Sequence, residues 1–123
     1  METPRKRLGN LGEDLACDYL QGQGHVILDR NWRTSHLEVD IISRDAEGIH
    51  FVEVKSRTAP VQAAPEENVT FRKQKRLASA ALSYLHARGF GELEVFFDIV
   101  SVVFDGEKTT LEYYKQAFIP IYT

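Results

Sequence analysis

The segment HLEVDIISRDAEGIHFVEVKSR, residues 36–57, decides the fold, because two alternating runs of apolar and polar residues flank a central turn. The joining residues read DAEG, a turn composition that ends in glycine. If the turn is centred on these four residues, Asp40 lies opposite Glu53 and Glu38 lies opposite Lys55. The segment therefore predicts a β-hairpin with two facing carboxylates.

The alternation divides this hairpin into an apolar face and a polar face. The predicted apolar face consists of Leu37, Val39, Ile41, Val52 and Val54. The polar face carries His36, Glu38, Asp40, Glu53, Lys55 and Arg57, with Ile42 and Phe51 at its far end. Opposed side chains have Cβ atoms about 5 Å apart, so the like charges of Asp40 and Glu53 destabilise a sheet.

A divalent cation between Asp40 and Glu53 would compensate this repulsion. Mg²⁺ prefers hard oxygen ligands and usually keeps several waters and a substrate phosphate. Lys55 projects from the same face two residues after Glu53 and can reach a scissile phosphate or the attacking water. The spacing predicts metal-assisted phosphodiester hydrolysis.

The pattern Glu38-x-Asp40, a turn and then Glu53-Val54-Lys55 resembles the Asp…Glu-x-Lys signature of the restriction-endonuclease-like nuclease superfamily. Residues 8–104 as a whole resemble the small bacterial YraN family, which is largely uncharacterised and similar to archaeal Holliday junction resolvases. The segments that carry this resemblance are Gly12-Glu13 with Ala16 and Tyr19-Leu20, Asn31-Trp32-Arg33, Phe51 to Lys55, and Arg72-Lys73-Gln74 before an alanine-rich helix. The chain departs from the family pattern at Leu37, where glycine usually stands.

The resemblance implies hydrolysis of DNA by a bound Mg²⁺ or Mn²⁺, leaving a 5′-phosphate. The implied metal ligands are the carboxylates of Asp40, Glu53 and Glu13 and the backbone carbonyl of Val54. Lys55 would steady the attacking water and the charge of the transition state, and Gln74 would help to position the water or the lysine. The similarity to resolvases suggests branched DNA as substrate and a homodimer as the form that cuts two strands.

Residues 10–22 are predicted as the first helix, with Asn10 as its N-cap. Two interpretations of Glu13 stay open on this basis. It is either the acidic half of a capping box or, as in the resolvase-like relatives, a metal ligand on the face toward the sheet.

Residues 70–88 are predicted as a second helix, capped by Thr70 and ended by Gly89. Its first turns carry the basic cluster Arg72, Lys73, Lys75 and Arg76. Cations at this end of a helix dipole cost ~0.3–1 kcal/mol each at an exposed site. A binding site for DNA phosphates would account for the cluster, with Arg33 as a further contact, whereas a solvated turn is the alternative.

The remaining strands complete the predicted fold. Residues 25–31 form a first strand, and residues 94–104 form a buried strand that a crossover places parallel to the second hairpin strand. Asp98 interrupts the buried strand and needs a basic or backbone donor. Asp105-Gly106 predicts a turn into an edge strand at residues 109–118. The order predicts an α/β fold, a mixed five-stranded sheet flanked by helices, with a restriction-endonuclease-like core.

The length of 123 residues predicts one domain, with residues 1–7 as a basic tail and residues 58–68 as a flexible loop. This loop is either a plain connector or a flap that substrate orders. We expect a cytoplasmic protein without a membrane segment or signal peptide. The single Cys17 excludes an internal disulfide and a cysteine-based zinc site.

The other charged residues and histidines restrict the function less. The net charge of −3 and pI near 5.8 argue against bulk electrostatic binding of nucleic acid, although the positive charges are clustered. The four histidines, His25, His36, His50 and His86, show no metal-ligand spacing and are expected at the surface or partly buried.

Two other functions remain open from the sequence. One is a non-catalytic module that binds nucleic acid on a nuclease fold. The other is a protein-interaction domain whose contact patch is Tyr113, Tyr114, Phe118 and Tyr122. The same aromatic cluster would otherwise pack an edge strand on the core or form a homodimer interface.

Overall fold

The computed structural model describes residues 2–35, 37–61, 70–90 and 93–119. The elements in chain order are α1 (Pro4–Gly22), β1 (Val26–Thr34), β2 (Leu37–Arg44), β3 (Ile49–Thr58), α2 (Phe71–Arg88), β4 (Val95–Asp105) and β5 (Lys108–Tyr114). The strands form one sheet in the order β1-β2-β3-β4-β5. Only β3 and β4 are parallel, and the other neighbours are antiparallel. The predicted mixed five-stranded α/β fold is confirmed, and it is consistent with a restriction-endonuclease-like core.

Each face of the sheet is covered by one helix. On one face, α1 contributes Ala16, Cys17 and Leu20 to a core with Ile41, Val52, Val100, Val102 and Phe104. On the other face, α2 contributes Leu77, Ala80, Ala81 and Tyr84 to a core with Val39, Ile42, Ile49, Phe51 and Phe97. The neighbours Phe51 and Val52 therefore project to opposite faces, as strand alternation requires, and both are buried.

The prediction of a single apolar hairpin face was wrong. Leu37 and Val39 pack with the α2 core, whereas Ile41, Val52 and Val54 pack with the α1 core. The reason is that helices cover both faces, so the hairpin strands need apolar side chains on both sides.

Helix α1 begins earlier than predicted. Thr3 is its N-cap, and the Thr3 side chain accepts a hydrogen bond from the backbone amide three residues on, at 3.1 Å. Pro4 suits the first helical position because its fixed φ is already helical and its missing N–H costs nothing there. Asn10 therefore lies inside the helix, and the predicted tail, residues 1–7, supplies the first helical turn from Pro4 onward.

The hairpin of β2 and β3 has the predicted register. Ile41 pairs with Val52, so Asp40 and Glu53 are the next residues along the two strands. The turn is held by the Asp45 carboxylate, whose Oδ1 accepts hydrogen bonds from the backbone amides of residues 47 and 48, at 3.0 and 3.2 Å. The DAEG segment thus forms the turn that fixes the register.

The second half of the chain also follows the prediction. Thr70 caps α2, and Gly89 ends it in a left-handed conformation with φ of 72°. Strand β5 stops at Tyr114, before the predicted end. Most of the predicted loop at residues 58–68 falls outside the described residues, as do His36 and Tyr122. No helix in the described part of the chain is long and apolar enough to cross a membrane.

Candidate functional site

The site forms where β2 and β3 stop pairing. The last pair of their ladder is Ile41 with Val52, and Asp40 and Glu53 come next. At this point the Asp40 side chain replaces a backbone partner, since its Oδ2 accepts a hydrogen bond from the Val54 amide at 2.8 Å. The carboxylate of Asp40 is thereby fixed between the two strands.

The electrostatic environment of Asp40 is strongly acidic. Burial and the neighbouring charge of Glu53 raise the pKa of Asp40 from 3.8 to about 7, against the opposing effect of the Val54 amide. The charges of Glu13 and Glu38 act in the same direction as Glu53. Several carboxylates therefore converge on one partly buried place, an arrangement that a bound cation would stabilise.

Glu13 reaches this place from α1. Since α1 begins at Pro4, Glu13 lies in the middle of the helix, and the capping-box interpretation was wrong. Burial raises the pKa of Glu13, and its Oε1 is buried without a hydrogen-bond partner among the residues that the structure describes. The closest cation to that oxygen is the Arg30 guanidinium, at 3.8 Å, whose tighter partner is Asp14 at 2.9 Å. Glu13 thus offers an unsatisfied oxygen to the site.

Two lysines meet at Glu53. The Nζ of Lys73 lies 2.5 Å from Glu53 Oε1, and the Nζ of Lys55 lies 3.5 Å from the same oxygen. Burial and the adjacent Lys73 lower the pKa of Lys55. Burial opposes the charged form of Lys73 as well, but its hydrogen bond to Glu53 raises the pKa of Lys73. The site therefore contains two ammonium groups where the sequence predicted one.

The sequence analysis assigned Lys73 to the basic cluster on α2, but in the structure its side chain binds Glu53. The helical period could have indicated this position, because Lys73 lies four residues before the buried Leu77 and therefore on the sheet-facing side of α2. Gln74, the next residue, is half-buried in the first turn of α2, where its backbone amide donates to the Thr70 carbonyl at 2.9 Å.

Glu38 forms an ion pair with Arg33. Its Oε1 lies 3.4 Å from Nη2 of Arg33, across the β1–β2 pair. Both side chains are exposed, so this ion pair contributes little stability. Glu38 still acts on the site through its charge near Asp40.

The remaining basic residues line the surface beside the site. One groove is lined by Leu37, Glu38, Thr70, Arg72, Lys73, Arg76 and Leu77. A neighbouring groove includes Lys75, whose ammonium lies 5.1 Å from the centre of the Phe71 ring. Arg33 is 72% exposed beside Glu38. Lys73 links the groove to the carboxylates, since it lines the one and binds the other.

Comparison with known proteins identifies the family of the chain. A model of the uncharacterised protein family UPF0102 matches residues 12–102. The chain belongs to this family. UPF0102 is the YraN family, so the resemblance in the sequence is confirmed.

Similar UPF0102 proteins occur in several bacteria. The protein of Desulforapulum autotrophicum is 39% identical over 118 residues, covering 96% of this chain and 98% of the relative. The protein of Clostridium perfringens is 38% identical over 120 residues, with coverage of 96% and 98%. The protein of Trichlorobacter lovleyi is 41% identical over 113 residues, with coverage of 90% and 89%. The similarity therefore extends over 90% or more of this chain in each of these relatives.

A second cluster of polar residues lies at the other end of the UPF0102 hairpin. His25, Asp45 and His50 place one ligand atom each within 4.8 Å of one another, and they could hold a metal ion. Within the described ranges, no other set of three such residues is this compact. His25 and His50 are buried, so the expectation of surface or partly buried histidines was wrong for these two. They come from separate elements, and no spacing in the sequence indicates their contact.

Asp98 belongs to the same cluster. Its Oδ2 lies 2.6 Å from His50 Nδ1 and accepts a hydrogen bond from the Tyr113 hydroxyl, and its Oδ1 accepts one from the Gln116 amide at 2.9 Å. The prediction that this buried carboxylate finds basic and backbone donors is confirmed. Burial opposes protonation of His50, but its hydrogen bonds to Asp98 and Asp45 raise the pKa of His50.

Two of the described C-terminal aromatic residues pack on the sheet. Tyr113 packs with the α1 core and binds Asp98, whereas Phe118 stacks on Phe97 at 5.5 Å beside the α2 core. Tyr114 instead donates to Glu112 at 2.6 Å. Tyr113 and Phe118 therefore pack on the core, as one alternative predicts, whereas the contact patch and the homodimer interface stay predictions.

Proposed function

We propose that this UPF0102 protein is a metal-dependent endonuclease that hydrolyses phosphodiester bonds in DNA. The observation that carries the proposal is the convergence of Asp40, Glu53, Glu13, Lys55 and Lys73 where β2 and β3 separate. Acidic oxygens beside ammonium groups are the parts that phosphoryl chemistry with a divalent ion requires.

The donor atoms suit a hard divalent cation. Asp40, Glu53 and Glu13 provide only oxygen donors, the chemistry that Mg²⁺ and Mn²⁺ prefer, and the Val54 carbonyl is the further proposed ligand. Burial raises the pKa of Asp40 most, and the repulsion from Glu53 adds to it; a bound cation would offset this repulsion. A bound Mg²⁺ or Mn²⁺ would supply Lewis acidity toward the phosphate and a lower pKa for an attacking water.

The two lysines can stabilise the negative charge that develops on the phosphate. The Nζ of Lys55 lies 3.5 Å from Glu53 Oε1. From there it can donate a hydrogen bond to a phosphate oxygen or to the attacking water. Lys73, at 2.5 Å from the same carboxylate, holds Glu53 until a cation or phosphate competes for it. Gln74 follows Lys73 in the chain and is the proposed aid to positioning.

The groove beside α2 supports a polyanionic substrate. Arg72 and Arg76 line it together with Lys73, near the N-terminus of the helix, where backbone N–H groups also favour anions. Arg33 and Lys75 extend the basic surface on either side. We place branched DNA first among substrates by similarity to the resolvases, cut by a homodimer in the cytoplasm.

The test is cleavage of labelled single-stranded, duplex, flap and four-way-junction DNA with Mg²⁺ or Mn²⁺. Wild type should cut at least one substrate, and Asp40→Asn and Lys55→Ala should lose the activity by at least 100-fold. Asp18→Asn is the matched control, because Asp18 is an exposed carboxylate on α1. Cleavage that persists in Asp40→Asn and Lys55→Ala would reveal a contaminating nuclease and would refute the assignment.

A non-catalytic module that binds nucleic acid is the second candidate. The ion pair of Lys73 with Glu53 favours it, because the ammonium neutralises the carboxylate without a metal ion. For such a module, Asp40→Asn should leave DNA affinity unchanged or improve it, and neither form should cleave. Binding by gel shift and cleavage on the same substrates therefore separate the two functions.

A further inference from the structure

The His25, Asp45 and His50 cluster lies at the turn end of the hairpin. His25 follows α1, Asp45 opens the turn, and His50 is on β3. His50 precedes Glu53 by three residues, or about 10 Å along the strand, so the cluster is separate from the proposed catalytic carboxylates. None of its three residues has a role in the proposed hydrolysis.

Each imidazole uses one nitrogen for orientation and presents the other to Asp45. The Nδ1 of His25 lies 2.8 Å from the Ser43 hydroxyl, and the Nδ1 of His50 lies 2.6 Å from Asp98. The Nε2 atoms of both rings face the Asp45 carboxylate. A carboxylate or hydroxyl behind the second ring nitrogen is the arrangement that fixes metal-binding histidines in proteins.

The distance from His25 to Asp45 suits a small tetrahedral cation. The Nε2 of His25 is 3.5 Å from Asp45 Oδ2, which is longer than a hydrogen bond. Two ligands of a tetrahedral Zn²⁺ with bonds of about 2.0–2.2 Å lie about 3.4 Å apart. The Nε2 of His50 is 2.9 Å from Asp45 Oδ1, a hydrogen-bond distance. A bound cation would replace the proton of this hydrogen bond.

The charge and the donor atoms select the kind of metal. Two neutral imidazoles with the carboxylates of Asp45 and Asp98 balance one divalent ion. The nearby cation Lys115 is already neutralised by Glu47 at 2.5 Å. Imidazole nitrogens suit Zn²⁺ and its first-row neighbours, whereas Mg²⁺ prefers oxygen ligands alone.

We propose that His25, His50 and Asp45 form a Zn²⁺ site, oriented by Ser43 and Asp98. The site fastens the end of α1 and the β2–β3 turn to β3, and through Asp98 to β4. His50 is fully buried and the Asp45 side chain is 18% exposed, so the metal enters on the side of the turn. The sequence excluded a cysteine-based zinc site, and this one needs no cysteine.

The experiment is Zn²⁺ binding to tag-free, chelator-treated protein, measured by native mass spectrometry and by competition with a chromophoric chelator. Excess Mg²⁺ keeps the oxygen-rich site at Asp40 from taking up Zn²⁺. Wild type should bind one Zn²⁺ per chain with Kd below about 1 μM. His25→Gln and His50→Gln should weaken binding by at least 100-fold, and Asp98→Asn by 10–100-fold.

His86→Gln is the matched control, because His86 is exposed on α2 and outside the cluster. Should a cluster variant fail to fold, ring-nitrogen NMR of the wild type during the Zn²⁺ titration gives the same answer. The signals of His25 and His50 should then move while that of His86 does not.

Two outcomes would overturn the proposal. One is no stoichiometric Zn²⁺ uptake by wild type. The other is uptake that His25→Gln and His50→Gln both retain. In either case the cluster is a proton-held network in which His50 bridges Asp45 and Asp98. Since Asp40→Asn should retain Zn²⁺ binding and lose DNA cleavage, the zinc proposal and the nuclease proposal fail independently.

Discussion

Replacing Asp40 by asparagine should make the metal-free protein more stable at alkaline pH. A folded-state pKa of about 7, against the ordinary value of 3.8, means that the folded protein disfavours the ionised carboxylate. This difference corresponds to about 4 kcal/mol, since each pKa unit is worth 1.36 kcal/mol. Because water partly screens a side chain that is not fully buried, we expect a measured gain of about 1–3 kcal/mol.

The sign depends on pH. Below the unfolded pKa, Asp40 is protonated in both states and contributes no difference. Between 3.8 and about 7, the folded protein keeps a proton that the unfolded chain has lost, so stability falls as pH rises. Above pH 7 the loss is complete. Asparagine removes this dependence and still offers an oxygen to the Val54 amide, which donates to Asp40 at 2.8 Å.

The assay is urea unfolding of wild type and Asp40→Asn in a chelator, at pH 5 and pH 8. The variant should gain most at pH 8 and less than half as much at pH 5, with Asp18→Asn unchanged at both. With Mn²⁺ present the order should reverse, because the wild type gains binding energy that the variant lacks. A variant that is less stable than wild type at pH 8, or equally shifted at both pH values, would refute the reasoning.

Three further predictions concern packing and the basic residues. Gly12→Ala should cost about 1–3 kcal/mol in urea unfolding, because its Cβ would lie 1.8 Å from Ser56 Oγ, and Ser56→Ala in the same chain should restore most of the loss. No restoration would contradict this contact. Lys73→Met should strengthen Mn²⁺ binding severalfold by calorimetry, since it removes the ammonium 2.5 Å from Glu53, and it should slow cleavage at least 10-fold. Unchanged Mn²⁺ affinity would argue against that competition. Arg72→Ala and Arg76→Ala should each lower DNA affinity without altering metal affinity. Each should also reduce the slope of log affinity against log salt concentration by about 1. An unaltered slope would show that DNA does not bind in the groove.

The hairpin and the second helix could be predicted because local signals determine them. The DAEG turn fixed which residues oppose one another, and Ile41 indeed pairs with Val52. Thr70 and Gly89 marked both ends of α2 by the chemistry of helix caps. In α1, however, the prediction of Asn10 as N-cap was wrong. The helix begins earlier, at the Thr3 cap, which is followed by a proline that favours the first helical position.

Only the site residues that lie within one continuous segment could be predicted together from the sequence. Asp40, Glu53 and Lys55 lie within a single hairpin, so alternation brings them into view. The partners from other elements need the packing of those elements. Lys73 reaches Glu53 only because α2 lies on that side of the sheet, and His25 reaches His50 only because α1 ends beside the turn. The helical period places Lys73 on the sheet-facing side but does not identify Glu53 as its partner, and no spacing pattern indicates the contact of His25 with His50.

The register of β3 connects the two proposed sites. His50 has the parity of Val52 and Val54, which pack with α1, whereas Glu53 has the parity of Phe51, which packs with α2. A slip of β3 by one residue would exchange these sets and remove both sites together. Because Phe51 and Val52 are both buried, such a slip would also place each core residue on the wrong face. The packing that holds the sheet between its helices is therefore the same packing that positions Glu53 for Lys73 and His50 for Asp45.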